Sequence, residues 1–415
     1  MTNTRLIAAE VAEEGESPPS LSQGEIFWRF LRFGLMAWGG PVAQIGMLRR
    51  ELVEREHWMS SSRFNRLLAV FQVLPGPEAH EMCVYFGTLP GGRLGGLLAG
   101  LGFMLPGFVL MFALSWLYFR IDLAQSALAP VFLGMQPAVI ALIVRAVHRI
   151  GVHVLIDGWL WAIAVASMVA ALGGAPFWLT LPVAGILYAL IRRRRYVAAG
   201  VVVTTLAVAA ALATGALGNA GVPAIEALGV VPAGTPGRAA SLLALFLSGL
   251  KAGLLTFGGA YTVIPFLRDD AVGNGWMTPA QFVDGLALSG ILPAPLIIFS
   301  TFVGYVAAGP LGAVVMTVGI FLPAFYFALF LHGHIERVIA DVRLRTFLEG
   351  VSAAVVGLIA VTTLELAVAV SGRLPALVPG AVIFAASLGL LYVWKSRTSV
   401  VFLLIGAGLA GWMLF

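Results

Sequence analysis

The residues able to recognise a ligand lie at breaks in apolar sequence. Trp38-Gly39-Gly40-Pro41 interrupts a stretch that begins near Phe27, and Leu74-Pro75-Gly76-Pro77 interrupts the next. Phe257-Gly258-Gly259 and Leu292-Pro293-Ala294-Pro295 repeat both breaks in the second half of the chain. Proline has no N–H and steers the residue before it away from the α region, so a helix is not expected to run through these motifs. A helix starting at membrane depth exposes unpaired N–H groups and its positive dipole end, which bind anions well. Pro77 and Pro295 suit the first turn of such a half-helix, where the missing donor has no partner anyway. Matched interruptions point to a substrate site near the membrane midplane. The bland alternative is that the prolines kink helices for packing.

Charged and polar residues cluster around the breaks. Arg32 and Lys251 occupy matching places shortly before each glycine pair. Reaching inward, they would flank a dianion with two cations; snorkelling to an interface is the other reading. Glu78, His80 and Glu81 follow the first proline break, while the second half carries Leu296, Ile298 and Phe299 there. They are either a helix cap or a proton-linked gate. Gln44, Tyr261, Thr262 and Ser289 are hydrogen-bonding neighbours or packing residues. Glu349 and Glu365, in the apolar run 346–370, are placed for helix packing or ion coupling. The only cysteine, Cys83, excludes an intramolecular disulfide and a CxxC pair, and no metal site or cofactor is expected. GxGxxG after a strand, HExxH and CxxCH are all absent from the chain, which disfavours an enzyme.

These sites require elements in lipid. The chain is 60% hydrophobic and 11% charged, far from a soluble domain. Runs of about 20 apolar residues, the length that crosses a hydrocarbon core, recur through it. They cover 94–119, 128–147, 156–173, 197–216, 311–331, 346–370 and 376–394. The net charge of +5 comes with arginines clustered between the runs, which read as topology signals, not a nucleic-acid footprint. Residues 1–24 read as a disordered cytosolic tail without a cleaved signal peptide.

An internal repeat organises the rest. RFGLMAWGG at 32–40 recurs as KAGLLTFGG at 251–259, HWMSSSRF at 57–64 as GWMTPAQF at 275–282, VLPGP at 73–77 as ILPAP at 291–295, and GFMLPGF at 102–108 as GIFLPAF at 319–325. The offset falls only from 219 to 217. Residues 25–195 form a first unit, 196–238 a linking transmembrane helix and loop, and 239–415 a second unit. A single extra crossing at 197–216 would invert the second unit. The basic residues agree: Arg145, Arg149 and Arg192 to Arg195 mark loops in the first unit, whereas Arg337, Arg343, Arg345, Lys395 and Arg397 mark different loops in the second. The expected fold is an all-α polytopic membrane protein with two inverted-topology repeats, containing broken or re-entrant helices.

At these motifs the chain resembles the long-chain, two-domain members of the chromate ion transporter family. The resemblance rests on GGPVAQIGMLRRELVEREHW, LPGPEAH, FGG and LPAPLIIFSTFVGY, and covers nearly everything after residue 25. It implies export of chromate, an oxyanion shaped like sulfate, across the bacterial inner membrane, and hence chromate resistance. The expected binding set is Gly39, Gly40, Pro41, Gln44, Pro75, Gly76, Pro77, Lys251, Gly258, Gly259, Tyr261, Pro293 and Pro295, with Arg32, Glu78, His80 and Glu81 as coupling candidates. An inside-negative potential gives a leaving dianion about 4.6 kcal/mol per 100 mV, so efflux needs no further energy source, and proton exchange stays open. The expected partners are the oxyanion, the bilayer and protons, with a homodimer open and no nucleic acid. A sulfate transporter, an anion channel and an intramembrane enzyme are the competing readings.

Overall fold

The computed structural model describes residues 18–72, 74–121, 127–213, 240–256, 259–331, 342–394, 396 and 398–415. Most of the expected tail, the loop before the second unit, Phe257, Gly258, Arg337, Lys395 and Arg397 lie outside these residues. The described residues contain helices and connecting loops and no strand.

In the first unit, α1 is Gln23–Leu35, α2 Gly40–Leu48, α3 Ser61–Phe71, α4 Glu78–Arg120, α5 Ala129–Val154, α6 Gly158–Leu172 and α7 Phe177–Arg192. Helix α8, Tyr196–Ala213, follows. The second unit contains α9 Leu242–Leu254, α10 Val263–Gly273, α11 Pro279–Gly290, α12 Phe299–Tyr326, α13 Val342–Ser371, α14 Leu377–Val393 and α15 Ser399–Leu414. Short 3₁₀ turns at Ala260–Thr262 and Leu296–Ile298 precede α10 and α12.

Local sequence explains many boundaries. Ser22 caps α1 in a capping box with Glu25, and Ser241 caps α9 at the matching place. Ser60 caps α3, and Thr278 caps α11 in a box with Gln281. The repeat offset drops by one between Glu51 and His57, so the first unit carries one extra residue there. It is absorbed as a π-helix, Arg49–Arg55, continuing α2.

Helix α4 doubles back at Gly92 (φ 60°, ψ −156°), and α12 does so at Gly309 (φ 65°, ψ −154°). Across the fold of α4, a β-carbon on Gly96 would lie 2.9 Å from the Val84 carbonyl oxygen. Across that of α12, the Thr301 and Thr317 hydroxyls are 2.8 Å apart. The turn conformation is essentially confined to glycine, and a side chain there costs about 1–3 kcal/mol. Gly92→Ala is therefore expected to lower the folded yield although its β-carbon would meet no atom within 4 Å. Size-exclusion profiles of detergent extracts check this.

The sequence units are interlocked. Helices α6 and α7 pack on α13, and α14 and α15 pack on α5. Small residues allow the approach: the Ala184 carbonyl lies against Gly350, and Gly134 lies against Ala407 and Gly411. One hydrophobic core joins α5, α6 and α7 to the second unit, while α1 to α3 and α4 as far as Phe103 form a smaller core with Ala328 and Leu329. Outward-facing residues are apolar, with Val197 84% and Val393 82% exposed, as lipid-facing positions require. Among the described residues, Glu78–Arg120, Ala129–Val154, Leu296–Phe330 and Arg343–Ser371 are long and apolar enough to cross a membrane.

Candidate functional site

Each glycine or proline break is the tip between two short helices. Helix α1 lies along the second limb of α4: Gln23 Nε2 donates to the Gly91 carbonyl at 3.1 Å, and Gly34 packs against Phe103 and Pro106. Its tip, Met36 to Gly39, therefore reaches the middle of that limb. Helix α9 follows α12 in the same way, the Ala240 N–H donating to Ala307 at 3.3 Å and Gly253 packing against Ile320 and Pro323.

The proline tips cross between units. A β-carbon on Gly76 would lie 3.2 Å from that of Ala324, and Ala294 packs against Gly107. Thus the Pro75-Gly76-Pro77 tip meets the Pro323-Ala324 motif, and the Pro293-Ala294-Pro295 tip meets Pro106-Gly107. The Gly76 N–H donates to the Thr256 carbonyl at 2.9 Å, joining a proline tip to the opposite glycine tip. The 3₁₀ turns at Ala260–Thr262 and Leu296–Ile298 also touch. The Trp38–Pro41 tip is more open: Gly39 is exposed, Pro41 is half-buried, and a β-carbon on Gly40 would meet nothing within 4 Å.

At every tip a helix or 3₁₀ turn begins, capped by Gly39, Pro77, Gly259 or Pro295. The two prolines thus stand one place before the expected first turn, and the helix dipole points its positive end into the junction. Gln44 is buried; its Nε2 donates to the Ala37 carbonyl at 2.9 Å, and its Oε1 has no partner among the described residues. Gly259 accepts from the Thr262 hydroxyl at 2.7 Å, Tyr261 is half-buried, and Pro293 and Pro295 are buried. Ser289 donates to Leu286 within its own helix. Gly258 lies outside the described residues.

Glu78, His80 and Glu81 are buried in the first turn of α4. The His80 ring sits 4.9 Å from Phe321 and 4.7 Å from Phe325. Both His80 nitrogens and both Glu81 carboxylate oxygens lack a hydrogen-bond partner among the described residues. Glu81 lies against the tip itself, its Oε1 2.8 Å from where a Gly76 β-carbon would stand.

The aligned cations are placed differently from each other. Arg32 is exposed in the last turn of α1. Lys251 Nζ pairs with Asp270 Oδ1 at 2.5 Å and lies 4.8 Å from the centre of the Phe177 ring, while Ser248 donates to Asp270 Oδ2. Asp270 neutralises the ammonium, so Lys251 is a clasp between α9 and α10. Lys251→Met is expected to lower stability by about 1–3 kcal/mol, because Asp270 loses its charged donor, and to leave chromate affinity nearly unchanged. Heating followed by size exclusion, and uptake kinetics, check the two halves. Glu349 pairs with Arg345 on its own helix, and Glu365 with Arg268.

Arg145 and Arg149 are the cations that sequence reasoning misplaced. Read as loop charges, they lie inside α5, which continues to Val154. Arg149 faces both Glu78 and Tyr261 electrostatically, and Arg145 faces Tyr261. One turn before them, Val139, Leu142 and Ile143 line a cavity of about 20 Å³ with Tyr261, Ile264 and Leu296. That space takes a water but no tetrahedral oxyanion. Spacing at i, i+4 within an apolar helix was the available signal. Among the described residues no group of three or more His, Cys, Asp or Glu side chains is arranged to hold a metal.

Interrupted helices whose ends meet halfway along spanning limbs, with ionisable groups buried among them, define a membrane transporter by architecture. The family model for chromate transporters matches residues 24–233 and 243–412, and the chain belongs to the chromate transporter family. It is 60% identical over 399 residues to a chromate transport protein of Pseudomonas aeruginosa, covering 96% of this chain and 94% of the relative. A chromate transport protein of Cupriavidus metallidurans is 28% identical over 397 residues, covering 95% of this chain and 93% of its own. An uncharacterized transporter of Bacillus subtilis is 28% identical over 148 residues, 34% of this chain but 80% of that protein, which is about one repeat unit long. No solved structure matches the chain.

Proposed function

We propose that this protein is a secondary transporter that exports chromate from the cytoplasm of a bacterium through its inner membrane. The observation that carries the reading is the meeting of broken-helix tips, each opening a helix or 3₁₀ turn, at mid-length of the spanning limbs. The tip N–H groups, Tyr261, Arg145 and Arg149 supply a positive lining for a dianion. Glu78 opposes it, so an arriving oxyanion competes for Arg149. The membrane potential favours a leaving dianion by about 4.6 kcal/mol per 100 mV.

The two units are inverted with respect to each other across the membrane, with residues 196–238 as the linking helix and loop. Supporting this, the second limb of α4 runs opposite to the second limb of α12 and its continuation: Arg93 lies 5.0 Å from the Phe330 ring, Gly96 lies against Leu329, and Gly100 lies against Phe325. Matched contacts are also made on one side only. Gly76 bonds Thr256, but the corresponding Ala294 N–H donates to Leu292, and the corresponding Ala37 carbonyl takes Gln44. Lys251 pairs with Asp270, whereas the corresponding Glu51 pairs with Arg55. Transport exchanges the two arrangements, opening the junction to each side in turn.

Uptake of labelled chromate into everted membrane vesicles at a controlled potential tests the function. Saturable, potential-dependent uptake is expected, with sulfate competing because main-chain donors read charge and shape. Non-saturable flux indicates a channel, and absence of chromate uptake overturns the reading.

A further inference from the structure

A second polar centre lies away from the tips. Asp284, in the middle of α11, is 1% exposed and held by the first unit. The Tyr118 hydroxyl of α4 donates to Oδ2 at 2.8 Å, and Gln136 Nε2 of α5 donates to Oδ1 at 2.7 Å. Gln136 is also 1% exposed, and its Oε1 has no partner among the described residues. Beside it opens a cavity of about 160 Å³, lined by Gln136, Pro279, Ala280, Val283 and Arg373 among others. That volume holds several waters. Arg373, exposed just beyond α13, faces Asp284 electrostatically and guards the cavity.

We propose that Asp284 is a proton-binding site of the transport cycle, supplied by water through the Arg373 cavity. The inference rests on the transport reading above. An anion is disfavoured, because it would meet a carboxylate and the free Gln136 oxygen. A metal is disfavoured, because Asp284 is the one carboxylate of the cluster and Tyr118 and Gln136 already occupy its oxygens. A protonated water suits both open needs: it donates to Gln136 Oε1 and passes its proton to Asp284, leaving a carboxylic acid and neutral water. Protonation removes the acceptor charge that holds Tyr118 and Gln136. Helix α11 is thereby loosened from α4 and α5, and the tip at Pro293–Pro295, just beyond its end, is freed to move. From α4, α5 and the end of α13, the groups facing Asp284 are Tyr118, Gln136 and Arg373; among the described residues no other charged group faces it.

The test is chromate flux by the purified full chain in proteoliposomes, at fixed potential and varied pH. The wild type is expected to show a pH-dependent flux with one midpoint and to take up protons as chromate leaves. Asp284→Asn, which keeps an oxygen for Tyr118, is expected to lose the pH dependence of its flux and to take up no protons as chromate leaves. Gln136→Leu is expected to move the midpoint by about one unit, since it removes a hydrogen bond to a charged group. A wild-type profile retained in Asp284→Asn, an unmoved midpoint in Gln136→Leu, or a pH-independent wild type overturns the proposal. If Asp284→Asn does not fold, the Gln136→Leu midpoint and wild-type proton uptake decide. Absence of chromate flux from the wild type instead overturns the transport reading.

Discussion

Gly76→Val is expected to reduce chromate transport by at least about 30-fold. The backbone there has φ +148°, and a β-carbon would stand 2.8 Å from Glu81 Oε1 and 3.2 Å from the Ala324 β-carbon. Overpacking and an unfavourable backbone each cost about 1–3 kcal/mol, and about 2 kcal/mol together corresponds to 30-fold. The strain falls on the Gly76 to Thr256 hydrogen bond, the link between the two units at the junction. The loss should appear in the maximal rate more than in expression, because α12 is also held along its length by α9, away from Ala324. Vesicle uptake normalised to membrane-inserted protein measures it. Wild-type rates in a correctly inserted variant would remove the tip from the transport path.

Replacing Arg145 and Arg149 by alanine is expected to weaken chromate affinity by about 10- to 100-fold for each residue. A hydrogen bond to a charged group contributes about 1.5–3 kcal/mol, and a tenfold change corresponds to 1.36 kcal/mol. Arg149→Lys should recover part of the affinity, since lysine keeps the charge but loses the planar donor fork. The effect belongs in the half-saturation concentration, with sulfate competition weakened in parallel. Neither residue fills the core: Arg149 is exposed and Arg145 half-buried. A change in thermal stability without a change in half-saturation would mark them as structural.

The breaks were legible because proline and glycine act locally. Pro75, Pro77, Pro293 and Pro295 stand between helices, each paired with a second proline two residues away, whereas lone prolines such as Pro137 and Pro182 lie within helices. Duplication also carried more than it first showed. The one-residue change in offset after Glu51 becomes a π-helix, and Arg32 with Glu51 matches the spacing of the Lys251–Asp270 pair. What the pattern left hidden depends on packing between distant residues. The reversal at Gly92 looks in sequence like one more Pro-Gly punctuation inside a long apolar run. The exchange of α6 and α7 onto α13 follows from surfaces, not from periodicity. Asp284 escaped because its place in the first unit is Arg66, so the repeat offered no duplicate to mark it. The Asp270 partner of Lys251 is hidden in the sequence because it lies on the next helix, beyond helical spacing. Arg145 and Arg149 look like loop charges because the apolar run ends at 147, about two turns before α5 itself ends at Val154.

The oxyanion is proposed to sit where the tips meet. A structure of the protein soaked with chromate, with chromium located by its anomalous scattering, tests it most directly. Chromium is expected at the junction, within hydrogen-bonding reach of the N–H groups of Glu78 and Ala79 at the start of α4 and of the Gly259–Tyr261 tip, and facing Arg149. Chromium bound instead at Lys251, at Arg373 or only on the lipid-facing surface would contradict it.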